Sequence, residues 1–470
     1  GGIKMETINW KNVVEDRKED LLNDIERLLR INSVKGDPVD GAPLGEGPKQ
    51  AIDEIKKMGY EAGFKVNDYG PLVTRIDWGE TGEPFGVLGH VDVVPVGTGW
   101  DSNPFEPTYK DGKLIARGSL DDKGPLVCAF FAMKLLKERG YIPKRKLQLI
   151  VGSDEETNWE CLNYYKTIEK LPREGFVPDA YFPVVNGEKG IIHFTIEEGK
   201  DDSQTGTYCL VEFKSGTKEN MVPGLAEARL KGGTESDITD SFQRFLVEHL
   251  NVSGQVDQND EELKITLYGK SAHGSTPSKG VNAATYLAKF LSQHPVKNGK
   301  SFLNHMGESF HETTDGKNLG INHQSEIGEL TFNVGIANYD CSSGGRIVTD
   351  IRFPFSQSSS EIKSHLEEYF EGEDLHIVVK KDPHFVSPDT KLVKTLLKIY
   401  EDQTGDKGYT KVIGGSTYAS LLSEGVAFGA LFPSTEDTMH QANEFIPVND
   451  LVLITAIYAQ ALFELICKAE

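Results

Sequence analysis

Short apolar runs alternate with longer amphipathic stretches through the first third of this chain and again near its end. Leu21, Ile25, Leu28 and Leu29 recur at helical spacing, which predicts a helix within residues 14–31. Phe85-Gly86-Val87-Leu88 is a continuous apolar run of strand length leading into His90. A helix is expected after Lys123-Gly124, with Pro125 suited to a first helical position and Leu126, Ala129, Phe130, Met133 and Leu136 on one face. Lys137 and Arg139 then precede Gly140, a fitting stop. Residues 146–151 read as the next strand, and Asp154-Glu155-Glu156 follows it. Residues 428–432 predict a short buried strand and residues 451–466 a closing helix. This alternation predicts an α/β domain, a mostly parallel mixed sheet flanked by helices. Ligands of such sheets collect beyond the carboxyl ends of the strands, where His90 and Glu155/Glu156 fall.

The middle third has a different rhythm. Strands are expected at residues 208–213, 263–268, 329–334, 346–353 and 375–379, with helices at 238–250, 282–293 and 360–370. The series predicts an inserted α+β lid domain with internal duplication. At 470 residues the chain is too long for one core. The expected division is a first domain at 5–186, the insert at 187–383, and the rest of the first domain at 384–470. Residues 1–4 precede Met5 and are set aside as an appended sequence.

Composition narrows the function classes. The formal charge of −22 repels nucleic acid and anionic membranes. No run of eighteen consecutive apolar residues occurs, so no transmembrane helix is expected, and the N-terminus lacks a secretory pattern. Five scattered cysteines, Cys128, Cys161, Cys209, Cys341 and Cys467, form no C-x-x-C pair. That usage suits reduced thiols in a cytoplasmic protein.

The chemistry sits in five short pieces. His90 and Asp92 have spacing two, so on an extended segment both point to one side, and the carboxylate can accept one imidazole proton while the other nitrogen faces a metal. Alone the pair also reads as a buried histidine satisfied by its neighbour. Asp121-Asp122 precedes a helix start; one aspartate suits a cap, and a second is spare to bridge two cations. Glu155-Glu156 are neighbouring like charges that repel unless a cation or proton intervenes. Asp179 and His440 say little in isolation.

In combination, Gly89-His90-Val91-Asp92-Val93-Val94-Pro95, residues 117–125 and Asp154-Glu155-Glu156-Thr157-Asn158-Trp159 resemble the dinuclear zinc metallopeptidases related to aminoacylase, carnosinase and carboxypeptidases. Asn186-Gly187-Glu188-Lys189-Gly190 and Met439-His440-Gln441-Ala442-Asn443-Glu444 resemble the bacterial dipeptidase V (Xaa-His dipeptidase-like) branch. The resemblance implies two divalent metal ions, zinc foremost and manganese or cobalt as alternatives. His90, Asp121 and Asp179 would hold one; Asp121, Glu156 and His440 would hold the other, with Asp121 bridging. Asp92 would orient His90, and Glu155 would be the general base for a metal-bridged water. His273 would assist the oxyanion. Asn220, Arg352, Gly414, Gly415 and Ser416 would bind substrate ends. The implied activity is hydrolysis of dipeptides with free termini, with an N-acyl-amino-acid amidohydrolase or a carboxypeptidase as alternatives. The implied partner is a short peptide alone, and the doubled insert implies a monomer. Tyr181 departs from the branch, which carries an acidic residue there.

Overall fold

The computed structural model describes residues 7–201 and 205–468. The chain divides into two compact units. The first comprises residues 1–186, 386–411 and 416–470; the second comprises residues 187–385 and 412–415.

The first unit is built on a mixed sheet whose central strands lie in the order Lys65–Asp68, Val73–Trp78, Leu147–Gly152, Phe85–His90, Glu174–Val177, Glu424–Ala427. Parallel pairing runs from Leu147–Gly152 through Glu424–Ala427, and the two strands before them pair antiparallel. Every residue of Val73–Trp78, Phe85–His90 and Leu147–Gly152 is buried. Burial on both faces explains why the last two read as mostly apolar runs, broken in Leu147–Gly152 only by Gln148, rather than as regular alternation. Helix Lys123–Glu138 packs against Val448–Leu462 and Lys18–Leu29 over one continuous apolar core.

Several expected elements differ in detail. The N-terminal helix is two helices, Trp10–Glu15 and Lys18–Leu29, separated at Asp16 and Arg17. The helix after Asp122 starts at Lys123, so Pro125 is its third residue, where its missing N–H still costs no intrahelical bond. Residues 428–432 are not one strand: the sheet strand is Glu424–Ala427, and Ala430–Leu431 pairs separately with Ala180–Tyr181. The closing stretch Val448–Cys467 is, among the described residues, the one helix long and apolar enough to cross a membrane; 72% of its most apolar window is buried inside the protein. Asn449, Asp450, Thr455, Gln460 and Glu464 interrupt it, so a count of consecutive apolar residues passes over it. The five cysteines are free.

Gly89 matters for the site. A Cβ there would lie 2.8 Å from Leu126 Cδ1 and 3.0 Å from Asp122 Oδ2. The missing Cβ lets the end of this strand close on the start of the helix without displacing either side chain.

The second unit is an eight-stranded antiparallel sheet in the order Ser253–Asn259, Glu262–Tyr268, Leu225–Lys231, Cys209–Ser215, Thr331–Asp340, Gly344–Phe353, Gly190–Glu198, Asp374–Lys381. Cys209–Ser215 pairs with Thr331–Asp340 at its middle. Helices Glu235–Glu248, Ala283–Ser292 and Ser359–Tyr369 contribute to a separate apolar core.

Candidate metal centre

The carboxyl ends of three parallel strands deliver most of the site. His90 is the last residue of its strand and pairs with Gly152; Asp179 lies two residues past Val177, and Glu155 three past Gly152. The His90 ring is fully buried. Its main-chain N–H donates to Asp122 Oδ2 at 3.2 Å. Nδ1 faces the Asp92 main-chain oxygen at 2.9 Å and Asp92 Oδ1 at 3.1 Å. Two acceptors there place the ring hydrogen on Nδ1 and leave Nε2 as the metal-facing donor.

Asp92 has a second task that its spacing from His90 does not announce. Its two oxygens accept the main-chain N–H groups of Glu155 and Glu156, each at 3.1 Å. One carboxylate thereby orients both the imidazole and the loop bearing the two glutamates. Asp154 fixes the far side of that loop by accepting from the Glu160 N–H at 3.0 Å, and the Trp159 indole donates to the Glu155 carbonyl at 2.7 Å.

Carboxylates crowd around His90 Nε2: Asp121 Oδ1 at 3.1 Å, Asp179 Oδ2 at 3.3 Å, Glu155 Oε2 at 3.5 Å and Glu156 Oε1 at 3.8 Å. The other oxygen of Asp121 lies 2.8 Å from His440 Nε2, and Glu156 Oε2 lies 3.3 Å from the same nitrogen. Asp121 thus spans two imidazoles that are 350 positions apart in the chain (440 minus 90). His440 adopts φ 63°, a left-handed conformation uncommon outside glycine, in the loop that aims its ring. Ligand atoms of His90, Asp121 and Glu156 lie within 4.8 Å of one another, as do those of His90, Asp122 and Asp179. Asp122 was expected as a spare or a cap. It occupies the N-cap position without a side-chain capping bond, and its Oδ1 is buried with no hydrogen-bond partner.

This much negative charge cannot be buried unopposed. Burial first, then repulsion from neighbouring carboxylates, pushes Asp122 and Glu155 well above the usual carboxylate range. Burial and the nearby Asp121 raise Glu156 to about 8 and Asp179 to about 7. Asp121 is held well below its usual range: burial opposes this, and the imidazoles of His440 and His90 outweigh it. Lys123, buried with Nζ on the Ile31 carbonyl at 2.7 Å, is pushed down to about 7 by burial. Oxygen and imidazole donors in this arrangement suit divalent zinc, manganese or cobalt. The orphaned Asp122 oxygen and the mutual repulsion are relieved by cations, so the residues present fit such a centre.

The second unit assembles its own group. Met221 pairs with His273, and the Gly274 N–H donates to the Asn220 carbonyl at 2.6 Å. His273 is exposed, with Nδ1 accepting the Ser275 N–H at 3.1 Å. Arg352 is buried; its Nε and one terminal nitrogen hold the Asp350 carboxylate at 2.8 and 2.9 Å, and the other terminal nitrogen donates to the Gly414 carbonyl at 2.9 Å. Gly415 is half-buried; Ser416, also half-buried, belongs to the first unit. Tyr181, in the first unit, donates to Asp437 Oδ2 at 3.0 Å, with Lys411 Nζ 4.2 Å from its ring centre. The sequence carries no signal for the part played by Glu444, a fully buried carboxylate that acts on main-chain N–H groups.

Residues 86–464 match the model of Peptidase family M20/M25/M40. A Bacillus subtilis protein named "Putative dipeptidase YtjP" is 40% identical over 463 residues, covering 97% of this chain and 100% of that one. Among solved structures, human carnosine dipeptidase 1 aligns with a TM-score of 0.57 at 14% identity, over 98% of this chain and 99% of that one. A Bacillus subtilis protein described as a dinuclear metal binding peptidase aligns with a TM-score of 0.51 at 8% identity, over 96% and 99%. The extent of the family match and the full-length relative give one result: this chain is an enzyme of the peptidase family M20/M25/M40.

Proposed function

We propose that this chain is a dipeptidase of the dipeptidase V type, cleaving dipeptides with free termini at a centre for two divalent ions. The observation that carries the reading is Asp121, whose two oxygens approach the two imidazoles separately while Glu155 stands 3.5 Å from one of them. The full-length relative named as a dipeptidase supports the substrate class. In this reading His90, Asp121 and Asp179 would hold one ion, and Asp121, Glu156 and His440 would hold the other. Zinc is the ion expected, with manganese and cobalt accepted by the same donors. The bound ions supply polarisation of the scissile carbonyl and acidification of the attacking water.

The remaining work belongs to side chains. Glu155 takes the water proton on a carboxylate oxygen and returns it to the leaving amine. Asp92 keeps the His90 tautomer fixed. His273 donates to the developing oxyanion, and Asn220, Arg352, Gly414, Gly415 and Ser416 hold the ends of the substrate. The second unit acts as a lid. Its central pairing of Cys209–Ser215 with Thr331–Asp340, four strands on either side, supports a duplicated unit and with it a monomer. Five free cysteines suit the cytoplasm.

The test compares hydrolysis of a free dipeptide with that of its N-acetyl form and of a longer peptide. The free dipeptide should be cut with the highest kcat/KM. Preference for the N-acetyl form would make the chain an amidohydrolase, and release of C-terminal residues from longer peptides would make it a carboxypeptidase.

A further inference from the structure

Beneath the loop that carries Asp121 lies a buried ion pair. Glu444 is fully buried, and its Oε2 accepts three main-chain N–H groups: Gly118 at 3.1 Å, Leu120 at 2.9 Å and Asp121 itself at 3.0 Å. Its Oε1 receives Arg117 at 3.0 Å. The same terminal nitrogen of Arg117 reaches the Gln441 carbonyl at 2.9 Å, and the other donates to the carbonyls of Pro95 at 2.9 Å and Val96 at 3.2 Å. Trp100 covers the guanidinium, with ring centre and Cζ 5.1 Å apart, and Nε is buried without a partner.

These contacts join three segments. Pro95 and Val96 follow Asp92, residues 118–121 end on Asp121, and Gln441 follows His440. Each segment bears a group from the crowded site, yet neither Arg117 nor Glu444 contacts the imidazoles. An ion pair this deeply buried gains little stability over apolar residues of equal volume, because desolvation offsets the attraction. Its particular effect is geometric: three N–H groups converging on one carboxylate oxygen allow the loop a single path. We infer that Arg117 and Glu444 are positioning residues, which fix Asp121 between His90 and His440 and thereby set the affinity of the centre for its ions. The inference rests on the two-ion reading above.

The experiment uses the full chain, with zinc affinity read by competition against a chromophoric chelator and folding read by circular dichroism and thermal melting. Glu444→Gln keeps the shape but brings an amide N–H toward the loop donors; Arg117→Lys keeps the charge but loses the fork. Each should weaken zinc binding roughly 10- to 100-fold, the usual cost of losing a group that orients a metal ligand. Arg75→Met is the control, because Arg75 is held by Asp77 at 2.8 Å in another buried pair of the same unit. It should lower Tm and leave zinc affinity unchanged. The inference is overturned if either variant folds and binds zinc as the parent does, or if Arg75→Met weakens zinc equally. Should Glu444→Gln not fold, Arg117→Lys decides. A parent chain that binds no zinc would refute the two-ion reading instead.

Discussion

Asp350 in the second unit and the carboxylates around His90 in the first are both buried, and they are neutralised in opposite ways. In the second unit, Asp350 sits in the two-pronged grip of Arg352, with His193 Nε2 at 3.8 Å. Burial opposes its ionisation, but those partners hold its pKa below the usual carboxylate range. In the first unit, Asp122, Glu155, Glu156 and Asp179 share two imidazoles, and their pKa values go up instead. A carboxylate with an internal cation is complete within the fold. Four carboxylates sharing two imidazoles carry more negative charge than the fold itself neutralises, which is the condition that a centre for external cations requires.

Removing the ions should break the contrast most severely. Dialysis against a strong chelator is expected to abolish dipeptide hydrolysis, and stoichiometric zinc, manganese or cobalt should restore it; activity that survives chelation would contradict the account. Next in size is Glu155→Gln. Metal content by elemental analysis should equal that of the parent, while kcat falls by roughly 10²–10⁴, the range for loss of a general base.

In the second unit the predicted loss is of stability. Arg352→Met removes the guanidinium from buried Asp350 and leaves it only His193 at 3.8 Å, which costs about 3–5 kcal/mol, and it raises KM for dipeptides. Replacing both residues together, Arg352→Met with Asp350→Leu, should recover most of the melting temperature but not KM. Recovery of both would make Arg352 purely structural.

A pH comparison sharpens the point. In the chelated protein the pKa values of Glu156, about 8, and Asp179, about 7, lie above the unfolded values of about 4. The protonated forms therefore favour folding, with a contribution that is complete below about pH 4 and lost as pH rises through 7 to 8. Calorimetry of the chelated protein should show Tm falling across that window, and saturating zinc should remove most of the fall. A Tm that climbs there without metal would be inconsistent with the crowding described. The smallest expected effect is Tyr181→Phe, which deletes one hydrogen bond to Asp437 and should cost about 1 kcal/mol or less in a denaturant melt.

How much of this was legible in the sequence follows burial. Phe85–His90 and Leu147–Gly152 are buried at every position, and both stand out as apolar runs. Ser253–Asn259 is an edge strand that is mostly exposed, so it has no apolar face to announce it; no strand was expected there. Leu225–Lys231 alternates in the structure, but its Ala, Glu, Arg and Lys content suits a helix as well. The strand Glu424–Ala427 was displaced onto 428–432 because Phe428, Leu431 and Phe432 form the stronger apolar signal. His90, Asp92, Asp121, Glu155, Glu156, Asp179 and His440 were readable because resemblance joined motifs that spacing alone cannot join, and the fold brings them within one cluster. The orphaned oxygen of Asp122 shows only in the fold, and Glu444 had no assigned role because it acts on main-chain donors.

The most direct measurement is zinc stoichiometry of the chelated and reloaded chain, read by elemental analysis after gel filtration, for the parent and for Asp121→Asn. The account predicts two zinc ions per parent chain and a joint loss of affinity at both positions in the variant. A parent that retains no zinc, or a variant that still takes up two with unchanged affinity, would contradict it.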